Sequence, residues 1–133
     1  MSYFDATITD ILSIDELHIV LFDFYGIELK MMGLKPPANI SIGTKVKLGT
    51  KPTNITLAKN LQGTISCCNK LPSTVEQIEK GQLLTSILLK TNKTIFESII
   101  TTASFEKMEI KNNDQITALI KSSELFIQKV LDE

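Results

Sequence analysis

Hydroxyl and ammonium groups concentrate in the last third of the chain, where two short motifs follow predicted strands. Thr101 and Ser104 stand at the start of a predicted helix, Ala103–Met108, and the pair Lys121-Ser122 follows the next predicted strand. The first turn of a helix has N–H groups without intrahelical partners and a partial positive charge. A set of N–H, O–H and ammonium donors, with no carboxylate among them, suits a small oxyanion. These residues are therefore candidates for an anion site.

A purely structural interpretation accounts for the same residues. Thr101 or Thr102 would cap the helix, since threonine is a common N-cap, and Lys121 would be a solvated strand end. Residue types and spacing alone favour this second interpretation. An anion site at these positions thus requires support from the rest of the chain.

Length, composition and charge restrict the classes that remain. The chain has 133 residues, enough for one domain or two very small ones. It is 43% hydrophobic and 22% charged, which is typical of a globular protein, and its richness in Ile, Leu and Thr without Trp favours strands. The formal net charge is −1 and the pI is about 5.9, so no bulk field attracts nucleic acid or anionic membranes.

The chain shows no signal for export, membrane insertion or a metal cage. Its start lacks a basic region followed by an apolar segment, and the longest apolar run of the first half, Ile19–Phe22, cannot span a bilayer. Cys67 and Cys68 are adjacent and too few for a cage, which predicts half-buried strand residues in a reducing compartment; a reactive vicinal dithiol is the alternative. We expect a cytoplasmic protein without direct metal-cation ligands.

Residues for catalysis are also missing from the sequence pattern. His18 is the only histidine and lies inside an apolar strand, where a packed or edge residue is more common than a base. No Ser-His-acid set, carboxylate pair or metal-ligand cluster is visible. We therefore expect a binding protein and not an enzyme.

The periodicity predicts short strands in both halves of the chain. The turn signals are Tyr25-Gly26 and Lys90–Lys93, and a polar connection is predicted over Asn69–Gln82. A loop is expected at Gly33–Pro37 and a frayed tail at Gln128–Glu133. The predicted strands are Ala6–Ile11, Leu17–Phe24, Ile27–Met31, Lys45–Leu48 and Ile55–Leu57, then Gly63–Ser66, Leu83–Leu89, Ile95–Ile100, Gln115–Ile120 and Leu125–Ile127.

The two halves align with each other. Lys51–Leu57 matches Lys121–Ile127 at an offset of 70, and Ala6–Thr9 matches Gly63–Ser66 at an offset of 57, so thirteen extra residues are expected in the second half. Five short strands in about 60 residues are typical of a small OB-like barrel. The predicted fold is all-β, with two tandem five-stranded OB-like barrels, residues 1–59 and 60–133, the second with a short helix.

Two segments of the second half resemble the Mop/TOBE family of molybdate-binding domains. Phe96–Ile110 is similar to its strand–helix segment, with Thr-x-x-Ser at the helix start, and Asp114–Ile127 is similar to its turn, strand and Ile-Lys-Ser ending. The resemblance implies tandem Mop domains that bind molybdate, and usually tungstate, as a non-covalent ligand in the cytoplasm, for storage, buffering or sensing. The first half resembles the family only through its ends.

The resemblance also implies an oxyanion site between domains or subunits, and hence a homo-oligomer, a dimer or trimer. Lys59 replaces an arginine of the family motif, which keeps the charge but loses the planar fork. Met31–Gly33 occupies the place of the Thr-x-x-Ser in the first half, so a site lined by that loop is expected to be weak or lost. One side of the site would be Thr101, Ser104, Lys121 and Ser122, the other Thr56, Lys59 and Asn60, with Lys51 and Thr53 as weaker candidates.

Two other functions remain to be weighed. A regulatory or sensor module could act on a separate molybdate-transporter ATPase or transcription partner, because the chain has no Walker-type loop and no room for a helix-turn-helix before Ala6. An OB-fold for single-stranded nucleic acid needs stacking platforms and a basic groove. Aromatic residues are only 6% and the chain is acidic, which argues against nucleic-acid binding.

Overall fold

The computed structural model describes residues 1–35 and 39–131 and is built almost entirely from antiparallel strands. Within these residues one α-helix, α1 (Thr102–Met108), follows β8, and two short 3₁₀ turns, Pro52–Asn54 and Ser122–Glu124, precede β5 and β10. The strands are β1 (Ser2–Ile14), β2 (Leu17–Phe24), β3 (Ile27–Gly33), β4 (Lys45–Thr50), β5 (Thr56–Ala58), β6 (Asn69–Lys80), β7 (Leu84–Thr91), β8 (Thr94–Thr101), β9 (Gln115–Ile120) and β10 (Phe126–Val130).

The strands form two five-stranded sheets that exchange one strand each. The first sheet has the order β10-β4-β1-β2-β3 and the second β5-β9-β6-β7-β8. Thus β5, from the first half, pairs with β9, and β10, from the second half, pairs with β4. This confirms the predicted all-β fold with two five-stranded OB-like units, the second carrying the helix. The division into domains 1–59 and 60–133 stays a prediction. The two sheets do not follow this division, because β5 lies in the second sheet and β10 in the first.

The alternation of apolar and polar residues explains why the strands form where they do. Along β1, Phe4, Ala6 and Ile8 are buried while the residues between them are exposed or half-buried. The turn between β2 and β3 has positive φ at Tyr25 (48°) and Gly26 (85°), which is typical of a two-residue type I′ hairpin. These local signals were sufficient to predict β2 and β3.

One hydrophobic core runs through both halves. The ring of Phe4 in β1 meets Phe24 in β2 edge-on, with centroids 5.5 Å apart, and Phe96 in β8 with centroids 5.0 Å apart. Since Phe96 belongs to the second sheet, this aromatic contact joins the two sheets. The halves therefore pack on each other, as expected for units too small to bury a core alone.

The structure corrects the predicted alignment of the halves. The segment Gly63–Ser66 forms no strand, and the predicted connection Asn69–Gln82 is mostly β6. The first three strands of each half are related by an offset of 67, and the bulges at Ile8/Asp10 and Val75/Gln77 follow the same offset. The fourth strands are related by 70, so the second half has three extra residues, at α1, and not thirteen.

Pro72 misled the prediction because it stands within a central strand. On one side β6 pairs with β9 at this point, but pairing with β7 begins only at Thr74. The Pro72 carbonyl accepts a hydrogen bond from the Thr91 hydroxyl (2.9 Å) on the side where β7 has ended. Pro72 therefore has no ladder partner on the β7 side, and a strand position that needs no N–H donor there tolerates proline.

Other local expectations are also corrected. The predicted frayed tail is ordered as β10 as far as Val130, and the Leu131 N–H donates to the Lys45 carbonyl (2.8 Å). Cys67 and Cys68 precede β6 instead of lying in a strand, Cys67 half-buried and Cys68 exposed. Residues 36–38 of the predicted loop and the last two residues of the tail lie outside the described residues.

Two buried polar side chains tie each half to the edge strand of the other. The Ser2 hydroxyl donates to the Glu97 carbonyl (2.7 Å) and accepts from the Glu97 N–H (2.9 Å) in β8. The Asn69 side chain accepts from the Lys30 N–H (2.7 Å) and donates to the Lys30 carbonyl (2.9 Å) in β3. Both pairs follow the offset of 67, and both satisfy backbone groups on an exposed sheet edge.

Candidate functional site

Helix α1 begins at a capping arrangement that uses two of the predicted site residues. Thr101 has extended backbone angles, and its Oγ1 accepts a hydrogen bond from the Ser104 N–H (3.2 Å). The Thr101 hydroxyl donates in turn to Ser104 Oγ (2.9 Å). This confirms the capping role of Thr101. The exposed Ser104 hydroxyl is the acceptor in this pair, so its own proton is not used for the bond to Thr101. The two roles are compatible, because an N-cap still presents donors to solvent.

The neighbouring Thr102 fixes the helix on the second sheet. It is buried, and its hydroxyl lies 2.9 Å from both the Gly81 carbonyl and Thr85 Oγ1. Its N–H also donates to the Leu83 carbonyl (2.9 Å). The start of α1 is thereby held against the turn between β6 and β7, which sets the direction of the Thr101 and Ser104 hydroxyls.

A groove beside α1 brings both halves of the chain together. We call it the threonine groove: Thr53 and Thr56 of the first half line it with Thr101 and Ser104 of the second. The buried Ser98 hydroxyl donates to the Ile55 carbonyl (2.9 Å) and thereby fixes the segment before Thr56 on β8. None of the described residues that line this groove is acidic, so its polar groups are hydroxyls and backbone groups.

Lys121 and Ser122 do not line the threonine groove. Lys121 and Thr56 share a cleft with Asn54 and Glu124, and the Glu124 carboxylate there accepts from the Asn54 side chain (2.8 Å). That carboxylate opposes an anion at Lys121 in this cleft. Lys121 and Ser122 also line a further cleft beside the cysteines. One chain therefore does not gather Thr101, Ser104, Lys121 and Ser122 into one pocket, although Thr56 adjoins both surfaces.

The remaining candidates are spread around this region. Lys51 is exposed before the first 3₁₀ turn, where it corresponds to Lys121 at the offset of 70. Thr53 follows it and lines both the threonine groove and the Lys121 cleft. Asn60 is exposed with a left-handed backbone (φ 58°) and lies outside the lining of both surfaces.

The ammonium group of Lys59 is already engaged at the other end of α1. Its Nζ donates to the carbonyls of Met108 (3.2 Å) and Glu109 (2.9 Å) and lies 3.3 Å from the Asp114 carboxylate. A helix of seven residues is about 10 Å long at 1.5 Å per residue. Lys59 therefore caps the C-terminus of α1 and does not meet Thr101 within the chain.

Asp114 is the partner that holds Lys59 in this position. The hydrogen bond from the Lys111 N–H to its carboxylate (2.8 Å) is the main cause that lowers the pKa of Asp114 below its ordinary 3.8. Desolvation opposes the shift, and the hydrogen bond and charge of Lys59 add to it. The carboxylate is thus kept ionised, and the Lys59–Asp114 ion pair persists over the neutral pH range.

Sequence reasoning missed the residues that position these surfaces. Ser2 and Asn69 are buried polar residues whose roles become visible only at the offset of 67, which no sequence motif marks. Met32 joins the cysteines in one cleft although it is far from them in sequence. Among the described residues, no three His, Cys, Asp or Glu side chains cluster as metal ligands. No helix in the described ranges is long and apolar enough to cross a membrane.

Comparison with known proteins identifies the second half and the overall fold. Residues 65–127 match the family model of the TOBE domain. The chain is similar to the cytoplasmic molybdate-binding protein ModG, solved with molybdate bound: the TM-score is 0.88 over 94% of this chain and 93% of that chain, at 21% identity. A molybdate-binding protein from Sporomusa ovata is 33% identical over 53% of this chain and 100% of its own, with a TM-score of 0.47. A search of curated proteins finds no match.

The likeness to ModG concerns the fold, since the identity is low. It extends over 94% of this chain and 93% of the other. The TOBE match covers α1, Thr101, Ser104 and the Lys121-Ser122 pair. These are the segments on which the sequence resemblance rested, and the chain belongs to the Mop/TOBE family.

Proposed function

We propose that this protein is a cytoplasmic binding protein for molybdate and tungstate, which stores, buffers or senses the oxyanion. The observation that carries the proposal is the threonine groove beside α1, which threonines and a serine from both halves line and whose lining, among the described residues, contains no acidic side chain. Membership of the Mop/TOBE family supports it, as does the fold shared with ModG, a protein that binds molybdate. The ligand would be exchangeable and would serve no catalytic step.

The chemistry of the groove fits a tetrahedral dianion. Removing such an ion from water is costly unless hydrogen-bond donors replace the lost solvent around it. Ser104 of the second half and Thr56 of the first half line the groove with hydroxyl groups, and Thr53 of the first half adds a third. Since these groups are neutral, a cation is still needed to balance the charge.

Lys121 is the cation best placed to complete the site, and a second copy of the chain is the means we propose. In one chain Lys121 lies in a cleft that adjoins the threonine groove through Thr56, and Glu124 faces it there. A neighbouring copy would bring its own Lys121 and Ser122 to the groove, in a dimer or trimer with sites between subunits. This is the interface site that the family resemblance implies.

The pseudo-symmetry of the fold limits the number of such grooves. At the offset of 67, Leu34 occupies the position of Thr101, and at the offset of 70, Phe126 occupies that of Thr56. Both replacements are apolar and cannot donate a hydrogen bond. We therefore expect one hydroxyl-lined groove per chain and no equivalent site on the first half.

A role as a regulatory or sensor module is the second candidate. The tip of the β1–β2 hairpin exposes Leu12 (50%), Ile14 (77%) and Leu17 (45%), and neighbouring exposed apolar side chains are typical of protein contacts. A separate transporter ATPase or transcription partner could bind there, as could a second copy of this chain. Light scattering of the purified protein distinguishes them, because self-association requires no added partner.

Calorimetric titration with molybdate, tungstate and sulfate, alongside light scattering, tests the proposed function. We expect binding of the first two, little binding of sulfate, and at most one oxyanion per chain. Absence of heat with both molybdate and tungstate, from protein that is folded, would refute an oxyanion function.

Single substitutions test the site itself. Ser104→Ala and Lys121→Ala should each weaken binding by about tenfold or more, because a hydrogen bond to a charged group contributes about 1.5–3 kcal/mol. Lys93→Ala, at the exposed turn between β7 and β8, is the matched lysine control and should bind as the wild type does. Unchanged binding by Lys121→Ala would remove that residue from the site. Binding by Lys59→Ala shows whether the Lys59 ammonium leaves Asp114 to contact the anion: weaker binding than that of the wild type would mean that it does.

A further inference from the structure

A second cleft lined by Lys121 is also lined by three sulfur-containing residues. We call it the thiol cleft. Cys67 and Cys68 line it together with Met32 of β3, and a lysine and two serines complete the wall, namely Lys121, Ser66 and Ser122. The residues come from three separate segments of the chain, so the fold and not the sequence brings the sulfur-containing residues to one cleft.

The clamp between Asn69 and Lys30 explains why the two cysteines and Met32 line the same cleft. Asn69 is buried and directly follows the two cysteines, and its side chain binds both backbone groups of Lys30 (2.7 and 2.9 Å). Met32 lies two residues beyond Lys30 and therefore on the same face of β3. The cysteine segment is thus fixed beside Met32 by a rigid contact between the halves.

Both thiols are available for coordination. The Cys67 Sγ contacts the Ile120 carbonyl at 3.4 Å, and the Cys68 Sγ contacts the Ser66 carbonyl at 3.9 Å; both hydrogen bonds are weak because a thiol is a weak donor. Neither cysteine forms a disulfide. Cys68 is exposed, so an ion can enter the cleft from solvent, and no strong hydrogen bond must break before the sulfurs bind it.

The fold itself does not require sulfur at this place. At the offset of 67, Cys68 corresponds to Met1 and Met32 to Ile99, and at the offset of 70, Lys121 corresponds to Lys51. The equivalent clamp of Ser2 on Glu97 therefore stands beside a position without thiols. The set of two cysteines and one methionine therefore occurs at only one of the two related positions, and the fold does not require it.

We propose that the thiol cleft binds one Cu(I) ion through Cys67, Cys68 and Met32. Thiolate and thioether ligands are soft and favour Cu(I) over ions that prefer oxygen or imidazole. Each thiol loses one proton on binding, so two protons leave as one Cu(I) enters, without a change of oxidation state. The bis-thiolate complex carries one negative charge, which the ammonium of Lys121 balances. The sequence predicts no metal site because two adjacent cysteines are too few, and the fold supplies the third sulfur.

Competition with bicinchoninate, a coloured Cu(I) chelator, tests the proposal on the reduced, anaerobic protein without molybdate. The wild type should take one Cu(I) per chain from the chelator, and Cys67→Ser/Cys68→Ser should take none. Met32→Leu keeps the size of the side chain and should lower the Cu(I) affinity by about tenfold or more, since even changes around metal ligands cost that much. Met108→Leu, outside the cleft, is the matched control and should equal the wild type.

Three results would overturn the site. They are a wild type that removes no copper from bicinchoninate, a double-serine variant that still competes, and a Met32→Leu variant with unchanged affinity. Circular dichroism verifies that the variants are folded. Alkylation of the wild-type thiols with iodoacetamide removes the ligands without a mutation and should also abolish copper binding. Because no oxyanion is present, failure here leaves the calorimetric test of molybdate binding unaffected.

Discussion

Replacing Asn69 with alanine should destabilise the whole chain, although the residue lies in neither an ion pair nor an apolar cluster. Its side chain is buried and makes two hydrogen bonds with Lys30, one to the N–H and one to the carbonyl. Lys30 belongs to β3, the edge strand of the first sheet, and Asn69 begins β6 in the second. Asn69→Ala therefore removes a contact between the halves and leaves two backbone groups at the sheet edge without their partner.

The expected loss follows from these two bonds. Each contributes about 1 kcal/mol net, and a backbone group left dry costs about 1–3 kcal/mol. Lys30 is half-buried, so water reaches its backbone only in part. We expect Asn69→Ala to lower the free energy of unfolding by about 2–4 kcal/mol. Asn69→Ser should recover part of this loss, because Ser2 binds both backbone groups of Glu97 at the equivalent position.

Urea denaturation followed by circular dichroism measures this free energy of unfolding. Asn54→Ala is the matched control: its side chain makes one exposed hydrogen bond, to Glu124, and its loss should cost less than about 1 kcal/mol. If Asn69→Ala were no more destabilising than Asn54→Ala, the clamp would contribute nothing to the joining of the halves. The clamp would then also not hold the two cysteines beside Met32.

Three further predictions concern other contacts. Thr101→Ala should cost about 0.5–2 kcal/mol in urea denaturation, as loss of an N-cap does, and a smaller loss than 0.5 would deny Thr101 that role. Since the pKa of Asp114 is lowered in the folded chain, the ionised carboxylate stabilises the fold at neutral pH, and this effect is lost as the pH falls below about 3.8. The wild type should therefore have a lower urea midpoint at pH 3 than at pH 7, and Asp114→Asn should make this difference smaller. An unchanged difference would contradict the role of Asp114. A Cβ on Gly49 would lie 2.8 Å from the Phe126 ring, so Gly49→Ala should destabilise by about 1–3 kcal/mol, and by much less when Phe126→Ala removes the ring.

Much of the fold could be predicted because its strands carry local signals. The hairpin of β2 and β3 has alternating residues and a Tyr25-Gly26 turn, and the segment around α1 has both a cap and an amphipathic turn. The strand β6 was missed because Pro72 normally excludes a central strand. Its tolerance depends on where β7 ends, which is a property of the sheet and cannot be read from the local sequence.

The sequence predicts candidate residues of the site, but it does not predict which of them lie together in one chain. Thr101, Ser104 and Thr56 line the threonine groove, and their role as ligands stays a prediction. Lys59 was expected beside them because its position in the motif matches an arginine, but the nearby Asp114 and the free carbonyls at the end of α1 hold its ammonium elsewhere. Spacing along the chain gives the order of residues in a motif and does not give the competing partners that the fold provides.

The two halves show which features the fold retains and which it allows to change. The offset of 67 preserves the bulges and the clamps of Ser2 and Asn69, all of which satisfy or direct the backbone. Side chains facing the grooves differ instead: Thr101 corresponds to Leu34, and Cys68 to Met1. Backbone bonding is needed in both halves, because each half covers an edge strand of the other. A ligand needs only one complete set of donors, so the oxyanion site that we propose can lie beside the second half without an equivalent beside the first.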